Sequence, residues 1–312
     1  MNLKFSALSH DALVWNNELP LSFKGVRLPG STVSTSVGEF GSICIQEYST
    51  DNFAIRFNVF DLLQRFVAKT FSEKKGIFSK LILKGRITNE IDNVTERTLY
   101  QNQFSLYKTE RSMVTEVYEK NIHISFDTFF SRSFAGQLLH LFPGYDTHPT
   151  NPKWADAETL EIVQAFLRCK YDKEIRQHYF ESRLKDLLLK YLVLSAHDSP
   201  LEKEPTEKEI EAINKAEQII SSDIAVHRSI PDLAKRVLLN EFRLKQLFKK
   251  IFGAGPYEYL MKKRLTKGKE LLEQGLSVKE TAAQVGYRPS DFTTSFRNHF
   301  GFPPSAIKKR NS

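Results

Sequence analysis

Cysteine is scarce in this chain. Cys44 and Cys169 are the only two in 312 residues, far apart and without metal-ligand spacing. They read as buried structural thiols in a reducing cytoplasm rather than as a redox pair, and they leave no alkyl-accepting cysteine cluster. Long apolar runs are also missing. No stretch approaches the roughly 20 residues of a membrane helix. The opening MNLKFSALSHDALVW has no sustained apolar core and no small-residue cleavage site, so no secretory leader is expected. Of the eight histidines none pairs with another in an HxH or HxxxH spacing. His123 and His148 therefore read as surface or internally satisfied residues, and a metal site of the kind found in cupin-type barrels is not expected. A phosphate-binding glycine loop and a nucleophile elbow are absent too. Neither catalytic residue nor cofactor is expected.

What is present is an uneven charge. The net charge is +8, yet residues 1–206 carry 25 Lys+Arg against 25 Asp+Glu, and residues 207–312 carry 20 against 12. A neutral two-thirds joined to a basic third reads either as a module facing a polyanion or as a solubilising surface. The composition, 41% hydrophobic and 26% charged, is that of an ordinary soluble chain long enough for two cores.

From about residue 40 to 130 the pattern favours strands. In FAIRFNVF, Phe53, Ile55, Phe57 and Val59 alternate with Ala54, Arg56 and Asn58; NIHISF places Ile122, Ile124 and Phe126 on one face. Short strands without long intervening helices predict an antiparallel β barrel or jelly roll, cupin-like, able to enclose one small ligand. Trp15, Phe40 and Tyr48 read as core rather than pocket lining. Helices follow at AETLEIVQAFLRCKY and YFESRLKDLLLKYLVL. In the second, Leu184, Leu187, Leu188 and Tyr191 recur at i, i+3, i+4 and i+7. That stripe is read as core, and it is also a candidate homodimer seam. Residues 198–209, proline-bearing and densely charged, read as a linker between a domain at 1–197 and another at 210–312. The fold class is thus α+β in two domains, the second all-α.

The second domain writes one unit twice. Ser229 to Pro256 and Ser277 to Pro304 align at an offset of 48, with seven of 28 columns identical, Phe248/Phe296, Gly253/Gly301 and Pro256/Pro304 among them. Each copy parses as helix, turn, helix, over 229–253 and 277–301. Ser229 with Asp232 and Ser277 with Glu280 have capping-box spacing, and Gly253 and Gly301 stand where a left-handed cap favours glycine. Each second helix has two faces. Leu244, Leu247, Phe248 and Ile251 point inward in the first copy, and Phe292, Phe296 and Phe300 in the second. Outward lie Phe242, Lys245, Gln246 and Lys249, and correspondingly Ser290, Thr293, Thr294 and Arg297. These are short polar or cationic donors suited to base edges and phosphates in a major groove, the arrangement of a helix-turn-helix reader. Between the copies, Pro256 and Gly275 bracket a predicted helix whose inward face is Tyr257, Leu260, Met261, Leu265, Gly268 and Leu272. Roughly 18 residues at 1.5 Å each span about 27 Å, near the ~34 Å separating successive major-groove faces on one side of B-DNA.

On the signature LKQLFKKIFGAGPYEYLMKKRL…KELL followed by ETAAQVGYRPSDFTTSFRNHFGFPPSAIKK, residues 213–310 resemble the DNA-binding domain of AraC/XylS-type transcription regulators. The strands and trailing helices resemble, more loosely, the sensor arrangement of such regulators, including those responding to iron-chelating molecules. The resemblance implies base contacts from Phe242, Lys245 and Gln246 in the first copy and from Ser290, Thr293 and Thr294 in the second. It implies phosphate contacts from Asn240, Lys249, Lys250, Arg288, Arg297, Asn298 and Lys308. The second set has no arginine or glutamine for bidentate pairing, so the first helix is expected to carry most sequence discrimination. Gly268 replaces the usual alanine after RL, and loosening of the connecting helix by about 1 kcal/mol is expected from it. Ile307–Lys308 replaces a common aromatic–arginine pair. The implied partners are promoter DNA, RNA polymerase and a small-molecule effector, with no membrane. The chain is expected to be a cytoplasmic, effector-responsive activator and not an enzyme. The alternative from another class is a small-molecule-binding enzyme or carrier bearing a vestigial helix-turn-helix pair.

Overall fold

A computed structural model describes residues 4–7, 13–19, 23, 25–72, 75–91, 95–109, 112–142, 151–196 and 205–308. His148 and most of the predicted linker lie outside the described residues. The chain divides into two units, Met1–Glu202 and Lys203–Ser312.

The first unit is built from two antiparallel sheets. Its strands are β1 (Lys4–Ala7), β2 (Thr32–Gly38), β3 (Gly41–Ser49), β4 (Phe53–Leu62), β5 (Phe66–Ser72), β6 (Gly76–Lys84), β7 (Arg86–Ile91), β8 (Thr95–Tyr100), β9 (Gln103–Thr109), β10 (Ser112–Tyr118), β11 (Asn121–Ser131) and β12 (Lys153–Trp154). One sheet runs β1-β5-β10-β7-β8 and the other β12-β9-β6-β11-β4-β3-β2. From β4 to β7, and again from β8 to β11, each successive strand changes sheet, the alternation of a jelly roll. Both β1 and β2 lie before residue 40, where the period-2 pattern begins.

The seven-stranded sheet is covered on both faces, which explains why β6 is almost continuously buried. On one face Phe53, Ile55, Phe57, Leu81, Phe104, Phe126 and Phe130 pack against α1 (Arg132–Leu139), α2 (Ala157–Leu167) and α3 (Lys173–Ala196). On the other face Phe40, Ile43, Phe60 and Leu62 meet Phe66, Ile87, Leu99 and Tyr118 of the smaller sheet. Trp15 and Tyr48 pack against these two cores, and Cys44 and Cys169 are buried free thiols.

The α3 stripe is a correction. Leu184, Leu187, Leu188 and Tyr191 are each 0% exposed within one chain. They are consumed by the sheet-and-helix core, Tyr191 stacking on Phe104 at 4.2 Å, and cannot also form a dimer seam.

The polar side of the FAIRFNVF alternation points between the sheets. There Lys80 Nζ lies 2.8 Å from Asp127 and 3.0 Å from Glu116, all three at least 95% buried. Asn58 donates to Asp127 at 2.9 Å and to Ser125 at 3.0 Å, and Tyr118 donates to Glu116 at 2.9 Å. Desolvation by burial, answered by both carboxylates, still leaves the Lys80 ammonium above its ordinary value. Beside the cluster is a cavity of about 20 Å³, the size of one water. His123 is buried, with Nε2 2.6 Å from the Glu119 carbonyl.

The second unit is helical among its described residues: α4 (Glu207–Ser222), α5 (Ile230–Arg236), α6 (Glu241–Phe252), α7 (Pro256–Glu273), α8 (Val278–Gln284), α9 (Pro289–Phe300) and α10 (Ser305–Lys308). Here the predicted linker needs correcting. Residues 207–209 belong to α4, because Thr206 and Glu209 form a reciprocal capping box that starts the helix inside the charged run. No helix among the described residues is long and apolar enough to cross a membrane.

Candidate nucleic-acid interface

Both repeats fold as the paired helices their sequences predict. Ser229 and Ser277 cap α5 and α8, but the box is reciprocal only at Ser277. Asp232, one methylene shorter than Glu280, instead binds Arg236. Gly253 and Gly301 close α6 and α9 in the left-handed conformation. The turns inside the repeats are equivalent too: Leu238 has φ 57° and Gly286, its counterpart at the offset of 48, has φ 74°.

The apolar stripes are inside. Leu244, Leu247, Phe248 and Ile251 are buried, as are Phe292 and Phe296, with Phe300 packed beside them. This leaves the opposite flanks free. Phe242 is 76% exposed, an unusual state for a phenylalanine, and Lys245, Lys249, Ser290, Thr293, Thr294, Arg297 and Asn298 are exposed with it. Gln246 and Lys250 are half-buried.

Several predicted contact residues have prior engagements. Asn240 is the N-cap of α6 and accepts from the Arg243 amide at 2.8 Å. Thr293 Oγ1 donates back to the Pro289 carbonyl at 2.9 Å, and Ser290 Oγ donates to Asp291 at 3.3 Å. Arg288 is exposed at the start of α9, where its side chain makes no cap bond. The Lys308 side chain lies outside the described residues.

Three functional-site residues escaped the sequence reading. Arg264, a cation in the middle of the apolar face of α7, is 94% buried and donates to three backbone carbonyls: Ile224 at 2.6 Å, Ala225 at 2.8 Å and Gly286 at 3.1 Å. It pins the second repeat's turn and the segment after α4 to the connecting helix. Its only signal in the sequence is its position between Leu260 and Gly268. Tyr257, assigned to the inward face, is instead 57% exposed, with its ring edge-on to His227 at 5.5 Å. Met261 is half-buried and accepts from the Tyr287 hydroxyl at 2.9 Å.

The second and third are Arg243 and Glu209. Arg243 binds the Glu209 carboxylate side-on, at 2.7 Å from Nε and 3.1 Å from Nη2, and donates from Nη1 to Gln246 Oε1 at 2.9 Å. Bonds from Arg243 and Thr206 hold the Glu209 carboxyl down at about 2. The Thr206–Glu209 spacing is a capping-box signature that could have found Glu209.

Gly268 also departs from expectation. A Cβ there would sit 2.7 Å from Cε2 and 2.8 Å from Cζ of the fully buried Phe292. The missing methyl lets α9 seat its first phenylalanine directly on α7, so the glycine serves packing rather than merely loosening the helix.

Two repeats, each with a buried stripe and a free polar flank on its second helix, hang on one connector of 18 residues, which defines a double helix-turn-helix unit. In agreement, residues 233–310 match the family model described as a helix-turn-helix domain. Residues 233–310 of the C-terminal unit are thus a helix-turn-helix domain. Over 99 residues the chain is 31% identical to the Msm operon regulatory protein of Streptococcus mutans, covering 31% of this chain and 36% of that protein. It is 34% identical over 100 residues to the lactose operon transcription activator of Staphylococcus xylosus, covering 31% and 36%. The chain thus spans about a third of the length of these curated relatives. Among solved structures it is similar to the AraC-like transcriptional activator CuxR, with 11% identity and TM-score 0.39 over 84% of this chain and 91% of that one. It is also similar to ToxT from Vibrio cholerae, with 15% identity and TM-score 0.31 over 82% and 97%.

Proposed function

We propose that this chain is a cytoplasmic, sequence-specific DNA-binding transcription regulator. Its helical unit reads two adjacent major-groove segments of promoter DNA, and its β unit senses a small-molecule effector. The observation that carries this reading is the pair of exposed flanks, Phe242, Lys245 and Lys249 on α6 and Thr294 and Arg297 on α9, mounted on one connector. Phe242 suits a thymine methyl and Lys245 a guanine edge, while Lys249 and Arg297 suit phosphates. Because Ser290 and Thr293 spend their hydroxyl protons inside α9, the first reading helix carries most of the discrimination. The second acts chiefly through phosphates, with Arg288, Arg297 and Asn298 as its contacts. Effector control works by linkage: a ligand favouring one conformation of the β unit alters DNA affinity or contact with RNA polymerase. The name of the Staphylococcus xylosus relative supports activation.

The test is a gel shift of the whole chain on the DNA upstream of its own gene, with a salt titration. Four cationic phosphate contacts, from Lys249, Lys250, Arg288 and Arg297, give a log–log slope near −3.6, a loss of about 150-fold between 50 and 200 mM salt. Equal retention of promoter and scrambled DNA, or a flat salt dependence, would overturn the proposal.

A further inference from the structure

We infer that Arg243 and Glu209 are positioning residues that dictate which base Gln246 selects, by fixing its amide with the oxygen on Arg243 and the NH2 as donor, so that it picks guanine or thymine and disfavours adenine. This rests on the DNA-reading role proposed above.

A free glutamine pairs with adenine in two directions at once, its oxygen accepting from N6 and its nitrogen donating to N7. In this chain one of the two lone pairs on that oxygen is already taken and the amide is held in one orientation. Gln246 Oε1 faces Arg243 Nη1 at 2.9 Å. A guanidinium has five donors and no acceptor, so the amide cannot turn over without setting NH2 against N–H. Arg243 cannot swing away either, because Glu209 grips its Nε at 2.7 Å and its Nη2 at 3.1 Å. Glu209 is in turn fastened by the Thr206 backbone N–H at 2.8 Å and the Thr206 hydroxyl at 3.1 Å. Both members of the ion pair are about four-fifths buried, which limits competition from water. The first turn of α4 therefore reaches, through one carboxylate and one guanidinium, to the reading face of α6. What it leaves outward on Gln246 is NH2. Guanine offers such a group two acceptors, N7 and O6, and thymine offers O4, whereas adenine offers N7 beside an N6 amine whose N–H faces the donor.

The experiment is selection from a randomised DNA library with the full chain, sequencing the bound pool. The wild type is compared with Gln246→Ala, Arg243→Met and Glu209→Gln, and far-UV circular dichroism checks that each variant is folded. Gln246→Ala identifies the position that Gln246 reads, by loss of preference there. At that position the wild type is expected to favour guanine or thymine over adenine by about fivefold or more. Arg243→Met frees the amide, and adenine is expected to rise to at least equal frequency. Glu209→Gln, which keeps an acceptor for Thr206, shifts in the same direction and carries the readout should Arg243→Met not fold. Adenine at that position in the wild type, no change with Gln246→Ala, or folded Arg243 and Glu209 variants with the wild-type preference would each overturn the inference. A wild-type chain that enriches no sequence defeats the DNA-reading proposal itself, a separate outcome.

Discussion

The two equivalent turn positions, Leu238 and Gly286, respond to substitution with opposite signs. Both are left-handed, but their surroundings differ. At Gly286 an added Cβ would overlap the Ala225 carbonyl oxygen and lie 2.7 Å from the Ala225 Cα, and these are backbone atoms that cannot rotate aside. Alanine in this conformation costs roughly 1 kcal/mol more than glycine. Moving Ala225 away also separates it from the buried Arg264, and a hydrogen bond to a charged group is worth about 1.5–3 kcal/mol. Gly286→Ala should therefore destabilise the helical unit by about 2.5–4 kcal/mol. Leu238 is 91% exposed, so glycine there loses little packing. It relieves roughly 1–2 kcal/mol of left-handed strain, against ~0.5–1 kcal/mol of extra chain entropy in the unfolded state. Leu238→Gly should be neutral or stabilising by up to about 1.5 kcal/mol. The assay is urea unfolding followed by circular dichroism at 222 nm. The chain's two tryptophans, Trp15 and Trp154, both lie in the β unit, so their fluorescence should be unmoved by either change. A Gly286→Ala loss under about 1 kcal/mol, or equal effects at the two sites, would refute the Arg264 argument.

Gly268→Ala should lower stability by about 1 kcal/mol despite the better helix propensity of alanine, because ~1–3 kcal/mol of overpacking against Phe292 exceeds a gain of ~1 kcal/mol. Adding Phe292→Leu should reverse the sign of the alanine effect in the same urea assay. Glu209 has its carboxyl pulled down to about 2, so the stability it adds is complete above the usual glutamate range and is lost as the pH falls from ~4.5 towards 2. The melting-temperature gap between wild type and Glu209→Gln should be constant from pH 7 to about 5 and close by pH 2. Arg297→Ala should weaken binding evenly across DNA sequences and make the salt slope shallower by about 1. A change of base preference with Arg297→Ala would assign it to a base edge instead.

The helices of the second unit, their caps and their two faces were legible because those signals act between residues three or four apart. Ser277 with Glu280, the glycines after α6 and α9, and the stripe from Leu244 to Ile251 carry their meaning within one or two turns. The sandwich was legible more coarsely. Period-2 alternation marks strands, but it does not say that the polar side of β4 turns inward to Asp127 and Lys80. The α3 stripe announced burial without naming the surface that buries it, and the surface proved to be the chain's own sheet.

The sequence by itself therefore determined the repeated unit, the length of its connector and the buried and exposed faces of the two reading helices, all consequences of short-range geometry. Only the tertiary structure decided that Arg264 ties the second repeat's turn to α7 and that Glu209 holds the arginine beside Gln246. It also decided that Gly268 is a seat for Phe292. These depend on partners 22 to 40 residues away, and no local pattern records which distant atoms folding brings within bonding distance.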